Sequence, residues 1–291
     1  MNILLIGHSI IDHIEIAGRE IIKPGGIFYS ASGMLYVKNE NDKIFLLTGM
    51  NKDASKYFEK LYSKCSLDFL IQLKDMPEVF LKIYEDKERD EFYKNISTSL
   101  TIDKINDWSI FDGILINMIT GFDISIEQLK FIRKNYSGLI YFDVHTLSRG
   151  VDENLKREFR EITDVENWLS NIDIVQCNES ELKTIFNYND EKIIIENVLK
   201  CGPKILILTK GNKGAEVFFM EDENVKSLYV PAEKVVAKNK IGCGDIFGSV
   251  FFYTYLSTKD LLISLRTANK IAAKSVSSNN IEEWLSEYVK W

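Results

Sequence analysis

Short apolar runs alternate along the chain with longer amphipathic stretches. Ile3–Ile6, Ile44–Leu47, Gly113–Ile116, Leu139–Phe142, Ile172–Gln176 and Lys204–Leu208 are rich in Ile and Leu and show no polar alternation. That is the pattern of strands covered on both faces. Between them, Ser30–Lys38, Ala54–Ser63, Ile126–Asn135, Val165–Ser170, Ser180–Phe186 and Ile193–Leu199 carry helical periodicity. Strand and helix in turn predict an α/β fold with a mostly parallel central sheet and helices on both faces.

Two regions break this rhythm. Ile14–Ile22 reads as extended, and Leu67–Leu73, Glu78–Glu85 and Asp90–Asn95 are strand-like pieces at hairpin spacing. Phe69, Ile71 and Leu73 recur at every second position, as do Val79, Leu81 and Ile83. Alternation of period two predicts a half-exposed antiparallel sheet. The expected organisation is one α/β unit over residues 1–291 with a small β-lid made by insertions at about 13–24 and 67–97. An edge extension of the main sheet is the alternative.

Composition narrows the setting. Hydrophobic residues make up 45% of the 291 and charged residues 27%, which is globular and excludes disorder. The formal charge is −7, with no basic excess to neutralise nucleic-acid phosphates. Cys65, Cys177, Cys201 and Cys243 are far apart, so neither a zinc ribbon nor a disulfide framework is expected. No membrane span and no secretory leader is expected either, and the cytoplasm is the expected location.

In an open parallel sheet, ligands bind beyond the carboxyl ends of the strands. There the sequence places Gly7 and then Asp12, Asp143 through Arg149, Asn178 through Glu181, and Thr209 through Gly214. A further motif, Gly242-Cys243-Gly244-Asp245, precedes the apolar stretch Ile246–Leu256. Glycines ahead of a helix turn successive N–H groups toward one point, and the positive helix end adds to this anion site. A carboxylate beside such a site repels an anion. It makes sense where a hydroxyl must lose its proton next to a phosphoryl group. The local alternative is that Asp245 only caps the helix.

Gly242-Cys243-Gly244-Asp245 before an apolar helix resembles the signature of the ribokinase-like, or PfkB, carbohydrate kinases. The other clusters fall in that family's order. Gly7 to Asp12 resembles its first strand and substrate Asp, and Gly25-Gly26 its di-glycine hinge. Asp143 to Arg149 resembles its Asp-x-Asn-x-x-Arg segment, Asn178-x-x-Glu181 its Asn-x-x-Glu motif, and Thr209-x-Gly211-x-x-Gly214 its Thr-x-Gly-x-x-Gly loop. The resemblance spans about residues 3–275. It implies a three-layer α/β/α sandwich with an antiparallel β-lid. The implied activity is transfer of the γ-phosphoryl of ATP to an alcohol of a small polyhydroxy substrate.

The implied roles follow by position. Asp245 is the general base, with Gly242, Cys243 and Gly244 as backbone anion hole. Glu181 and Asn178 hold Mg²⁺, with a monovalent cation as an added option. Thr209, Gly211, Gly214, Asn178 and Asn269 meet the nucleotide. Asp12, Gly25, Gly26, Ser30, Asp143 and Arg149 meet the substrate, although pairing of Arg149 with Asp143 is the plainer expectation. Local alternatives stay open for several of these: a capping box for Asn178 and Glu181, a plain hairpin turn for Gly211 and Gly214, core packing for Phe28, Tyr29 and Asn269.

Four positions depart from the family pattern. Asn239 and Lys240 stand where it has Asp and Thr, Ser30 where it has Asn, and His145 where it has the middle Asn. Ribose is therefore disfavoured. A nucleoside kinase and a catalytically weak nucleotide or metabolite sensor remain alternatives. A dinucleotide-binding or Walker-type chain is excluded by the missing glycine motifs. The lid strands also suggest a homodimer.

Overall fold

The computed structural model describes residues 1–16, 18–84, 90–96, 99–151 and 154–286. The chain opens with β1 (Asn2–Ile6), β2 (Ser9–Ile16), β3 (Arg19–Gly26) and α1 (Ile27–Val37). It continues through β4 (Lys43–Leu47), β5 (Gly49–Met50), α2 (Ser55–Tyr62), β6 (Ile71–Gln72), β7 (Glu78–Ile83) and β8 (Asp90–Lys94). Then come β9 (Gly113–Asn117), α3 (Ile126–Asn135), β10 (Leu139–Asp143), β11 (Arg149–Val151), β12 (Arg157–Phe159) and α4 (Val165–Leu169). The last third holds β13 (Ile174–Asn178), α5 (Glu179–Ile185), α6 (Glu191–Cys201), β14 (Ile205–Thr209), β15 (Gly214–Glu221), β16 (Asn224–Pro231), α7 (Cys243–Thr258), α8 (Leu261–Ser277) and α9 (Ile281–Ser286).

Eight strands form the central sheet in the order β16-β15-β14-β13-β10-β9-β1-β4. The six strands expected from the apolar runs are mutually parallel, and β15 and β16 add an antiparallel hairpin at one edge. Successive residues of a strand feed opposite layers. Ile3 and Leu5 pack with α1, α2, α7, α8 and α9, whereas Leu4 and Ile6 pack with α3, α4, α5 and α6. Both faces are therefore buried, which is why these strands carry no polar alternation. Among the described residues no helix is long and apolar enough to cross a membrane, and all four cysteines are free thiols.

The second sheet, β3-β2-β7-β8, is the lid. Its two hairpins are antiparallel, and β2 joins β7 in parallel. Ile10, Ile14, Val79, Leu81, Tyr93 and Ile119 form a small separate core beneath it. The expected lid insertion at 67–97 needs trimming. Of Leu67–Leu73, only Ile71–Gln72 is a strand, and it pairs with β5 outside the lid. Phe69 lies against Phe45 and Phe111, so the alternating apolar residues of that segment serve the main core. The expected strand ends in 85–89 lie outside the described residues.

Candidate active site

The carboxyl ends of β9, β10, β13 and β14 present Asn117, Asp143, Asn178 and Thr209 along one edge of the sheet. Above them lies a cavity of about 470 Å³, roofed by Ile10, Asp12, Val79, Leu81, Glu91 and Tyr93 from the lid. Its lining brings together Asp12, Gly26, Asp143, Arg149, Asn178, Glu181, Thr209, Gly211, Gly214, Asn269 and the whole run Gly242–Asp245. Gly25 and Ser30 lie just outside it. A Cβ on Gly25 would come 2.3 Å from a carboxylate oxygen of Asp12, so this glycine lets Asp12 lie against the neighbouring strand. Ser30 is buried behind Asn117, whose Nδ2 donates to its Oγ at 3.1 Å.

Gly242 is the residue at which α7 begins, and no side chain caps this end. Gly242 has φ 73°, and a Cβ there would lie 2.1 Å from the Tyr29 ring. Only glycine combines that left-handed backbone with so close an approach. Asp245 is then the third helical residue rather than the cap, so the capping alternative is not the one formed. Asn117 Nδ2 donates to Asp245 Oδ1 at 2.7 Å and fixes the carboxylate at the mouth of the helix. Asn117 was missed in the sequence, although a polar residue ending an Ile-rich strand obeys the same rule that found Asp143 and Asn178.

Across the cavity, Asp143, His145 and Glu181 bring one ligand atom each to within 4.8 Å of one another. His145 Nδ1 lies 3.3 Å from Glu181 Oε1, and the His145 N–H donates to Asp143 Oδ1 at 3.0 Å. Burial and the charge of Glu181 push the Asp143 carboxyl up to about 7. Burial works against a charged His145, but the hydrogen bond and charge of Glu181 outweigh it and lift the imidazole to about 9. Burial likewise opposes ionisation of Glu181, and His145 and Arg149 overcome it and hold the carboxyl low.

Both oxygens of Glu181 and the side chain of Asn178 have other duties. Asn178 Oδ1 accepts from Ser180 and Glu181 N–H groups at 2.9 Å each, and Glu181 Oε2 accepts from Asn178 N at 2.9 Å. This is the reciprocal capping box. Among the described residues, Asp143, His145 and Glu181 are the ones whose ligand atoms cluster closely enough to hold a metal ion.

Arg149 does not pair with Asp143 as expected. It begins β11, beyond the turn at His145, and its guanidinium reaches Glu181 at 3.5 Å and lid residue Glu91 at 3.9 Å. Asp143 is instead held by Gln176 Nε2 at 2.6 Å. Gln176 also donates to the Gly244 carbonyl and so links the two halves of the site. Arg157 grips Glu91 at 2.6 Å and covers the Tyr93 ring. Glu91, Arg157 and Gln176 had no motif to mark them, whereas Tyr29 beside the di-glycine was already a candidate for packing.

At the opposite end, Thr209 Oγ1 donates to the Cys177 carbonyl at 3.3 Å. Gly211 and Gly214 shape the turn into β15, so the hairpin reading is formed, and both still line the cavity. Asn269 is buried and donates to the Val230 carbonyl at 3.0 Å. Ala232, Val235, Ala237, Ala272, Ala273 and Val276 complete a slot of small apolar residues beside it.

Known proteins resemble this one in sequence and in fold. Residues 145–285 match the pfkB family carbohydrate kinase. A relative from Archaeoglobus fulgidus, described as an uncharacterized sugar kinase, is 25% identical over 189 residues, which cover 64% of this chain and 73% of the relative. Among solved structures, a pyrophosphate-dependent kinase in the ribokinase family superposes with TM-score 0.80 at 14% identity, over 99% of both chains. The ribokinase of Thermotoga maritima superposes with TM-score 0.72 at 18% identity, over 98% of both. The family match covers the His145-to-Asp245 side of the cavity, where the chain resembles the carbohydrate kinases of that family, and the chain has a ribokinase fold from end to end.

Proposed function

We propose that the protein transfers the γ-phosphoryl group of ATP to an alcohol of a small polyhydroxy compound, with Asp245 as general base. The observation that carries this is Asp245 itself. It stands as the third residue of a helix with no side-chain cap, is oriented by Asn117, and faces a cavity that continues to both donor and acceptor ends. The acceptor hydroxyl gives its proton to Asp245 as its oxygen bonds to phosphorus. The bond between that phosphorus and the bridging oxygen breaks, and ADP leaves. A carboxylate is a far weaker base than the alkoxide it would generate. Proton transfer therefore comes late, as a loose phosphoryl transition state allows.

The N–H groups at the start of α7 and the helix dipole stabilise charge on the transferred group. Asp143 and Glu181 would hold Mg²⁺, largely through its own water shell, and the ion would supply charge neutralisation on the donor phosphates. The lid excludes water and limits wasteful hydrolysis. The slot formed by Ala232, Val235, Ala272, Ala273 and Val276 supports a nucleotide donor, because small apolar side chains suit a flat base. Likeness to pyrophosphate-dependent kinases supports a second reading, with pyrophosphate as donor. Turnover with each donor in parallel separates the two. Ile21 and Ile22, exposed on edge strand β3, support a homodimer through the lid, and a monomer at every concentration in sedimentation would remove that part.

Asp245→Asn tests the assignment. Turnover should fall about 1,000-fold, with donor affinity within a few-fold. Unchanged turnover refutes the base.

A further inference from the structure

The turn that leads into α7 carries a cation with no acidic partner. Asn239 Oδ1 accepts from Ile241 N at 3.1 Å, which closes a three-residue turn with Lys240 at its middle. Lys238 N and Asn239 N donate to the Val276 carbonyl near the end of α8 at 2.8 and 3.1 Å, so the turn is anchored. Gly242, where α7 starts, follows two residues later. Lys240 is exposed and lines the cavity. The two arginines of the lining are committed, Arg157 to Glu91 at 2.6 Å and Arg149 to Glu91 and Glu181. Lys210 and Lys213, on the turn into β15, pair with Glu216 at 2.7 Å and Glu179 at 3.2 Å. Among the described residues, Lys240 is thus the one lysine or arginine of the lining without a carboxylate partner.

We propose that Lys240 binds the donor phosphates directly, and that with this contact the site holds inorganic pyrophosphate without a nucleobase. Asp143, Glu181, Glu233 and Asp245 line the cavity, and their charge opposes a polyphosphate. The N–H groups at the uncapped start of α7 offset part of that opposition. An ammonium on a flexible stem adds a full charge and three donors, and it can follow whichever phosphate oxygen lies nearest. Pyrophosphate offers only oxygens for recognition, so it depends on such a group. The apolar slot beside Asn269 serves only a donor that carries a base. The proposal rests on the kinase reading for the word donor, and its binding measurement does not.

Calorimetric titration of the full chain with pyrophosphate, ATP and adenosine, Mg²⁺ present, tests this. Pyrophosphate should bind the parent. Lys240→Thr should weaken pyrophosphate and ATP at least about tenfold each, the scale of one charged hydrogen bond. Adenosine, which has no phosphate, should be unmoved. Lys240→Arg keeps the charge and should hold pyrophosphate within about threefold of the parent. The side chain is exposed, so neither substitution threatens folding. Failure of pyrophosphate to bind the parent overturns the proposal. So does pyrophosphate affinity that ignores Lys240→Thr, and so does an equal loss for adenosine, because the substitution then acts on the apolar slot. A loss in Lys240→Arg as large as that in Lys240→Thr also overturns it, because charge is then not what the ligand meets. Phosphoryl transfer from pyrophosphate and from ATP to sugars, polyols and nucleosides is read separately. Lysine-dependent binding with no transfer from either donor upholds the contact and refutes the kinase reading.

Discussion

The two ends of the cavity are built by different means. The end under α7 is largely backbone: the start of α7 at Gly242, the turn through Gly211 and Gly214, and strand ends beneath them. The lid side is side chains held by long-range pairings, with Glu91 of β8 clasped by Arg157 and approached by Arg149 from the hairpin β11–β12. A backbone site needs only the right local conformation, which few residues specify. A side-chain site needs partners delivered from distant parts of the chain. The first should be brittle to one substitution, and the second should fail gradually.

Gly242→Val is the hardest blow to the backbone side. A side chain there meets the Tyr29 ring and forces a left-handed residue, so the helix start must move. Turnover should drop at least about 100-fold, the scale of losing one preorganised donor. Steady-state kinetics with near-normal kcat would show that the helix start is not the phosphoryl site. On the lid side, Glu91→Ala leaves the buried Arg157 guanidinium without its carboxylate. Breaking such a pair costs about 3 kcal/mol. The acceptor KM should rise more than kcat falls, since the chemistry at Asp245 is untouched. A kcat loss with constant KM would mean that Glu91 acts on the reaction and not on the lid.

Protonation sharpens the contrast where the two ends meet. Asp143 and His145 are lifted to about 7 and about 9, from 3.8 and 6.5. A group whose folded pKa is raised contributes stability below its unfolded value and loses it as pH climbs through the folded one. For His145 that window is pH 6.5 to about 9, and for Asp143 it is 3.8 to about 7. The Tm of metal-free protein should therefore fall from pH 6.5 to 9. His145→Gln should flatten the slope, and a slope equal to the parent's would detach it from this imidazole. The smallest effect tests the cap. Asn178→Ala should cost about 1 kcal/mol in denaturant unfolding while leaving the Mg²⁺ dependence of turnover unchanged. Loss of that dependence would return Asn178 to the metal.

Much of the frame was legible because its causes are local. Ile3–Ile6 and Leu139–Phe142 had to be strands covered on both sides, and the residues following them had to lie at the ligand-binding edge. The hairpin β15–β16 was not legible. Its outer strand is mostly exposed and polar, so it carries no buried pattern. Segment 67–73 alternates like a lid strand, yet its apolar face turns to the main core, a choice that alternation cannot express.

Within the site the division is the same. Gly242, Gly244 and Asp245 are neighbours in sequence, and a turn followed by an apolar helix suffices to bring the helix start and the carboxylate together. The orienting bond from Asn117, the link from Gln176 to both Asp143 and Gly244, and the turning of Arg149 toward Glu181 and Glu91 join residues many tens of positions apart. The sequence alone determined the layered fold, the glycine-led start of the apolar helix α7 and the carboxylate beside it, because short-range geometry and periodic burial dictate them. The tertiary structure alone decided which charges pair and what kind of surface faces the acceptor, because those depend on contacts made only after the lid has folded over the sheet.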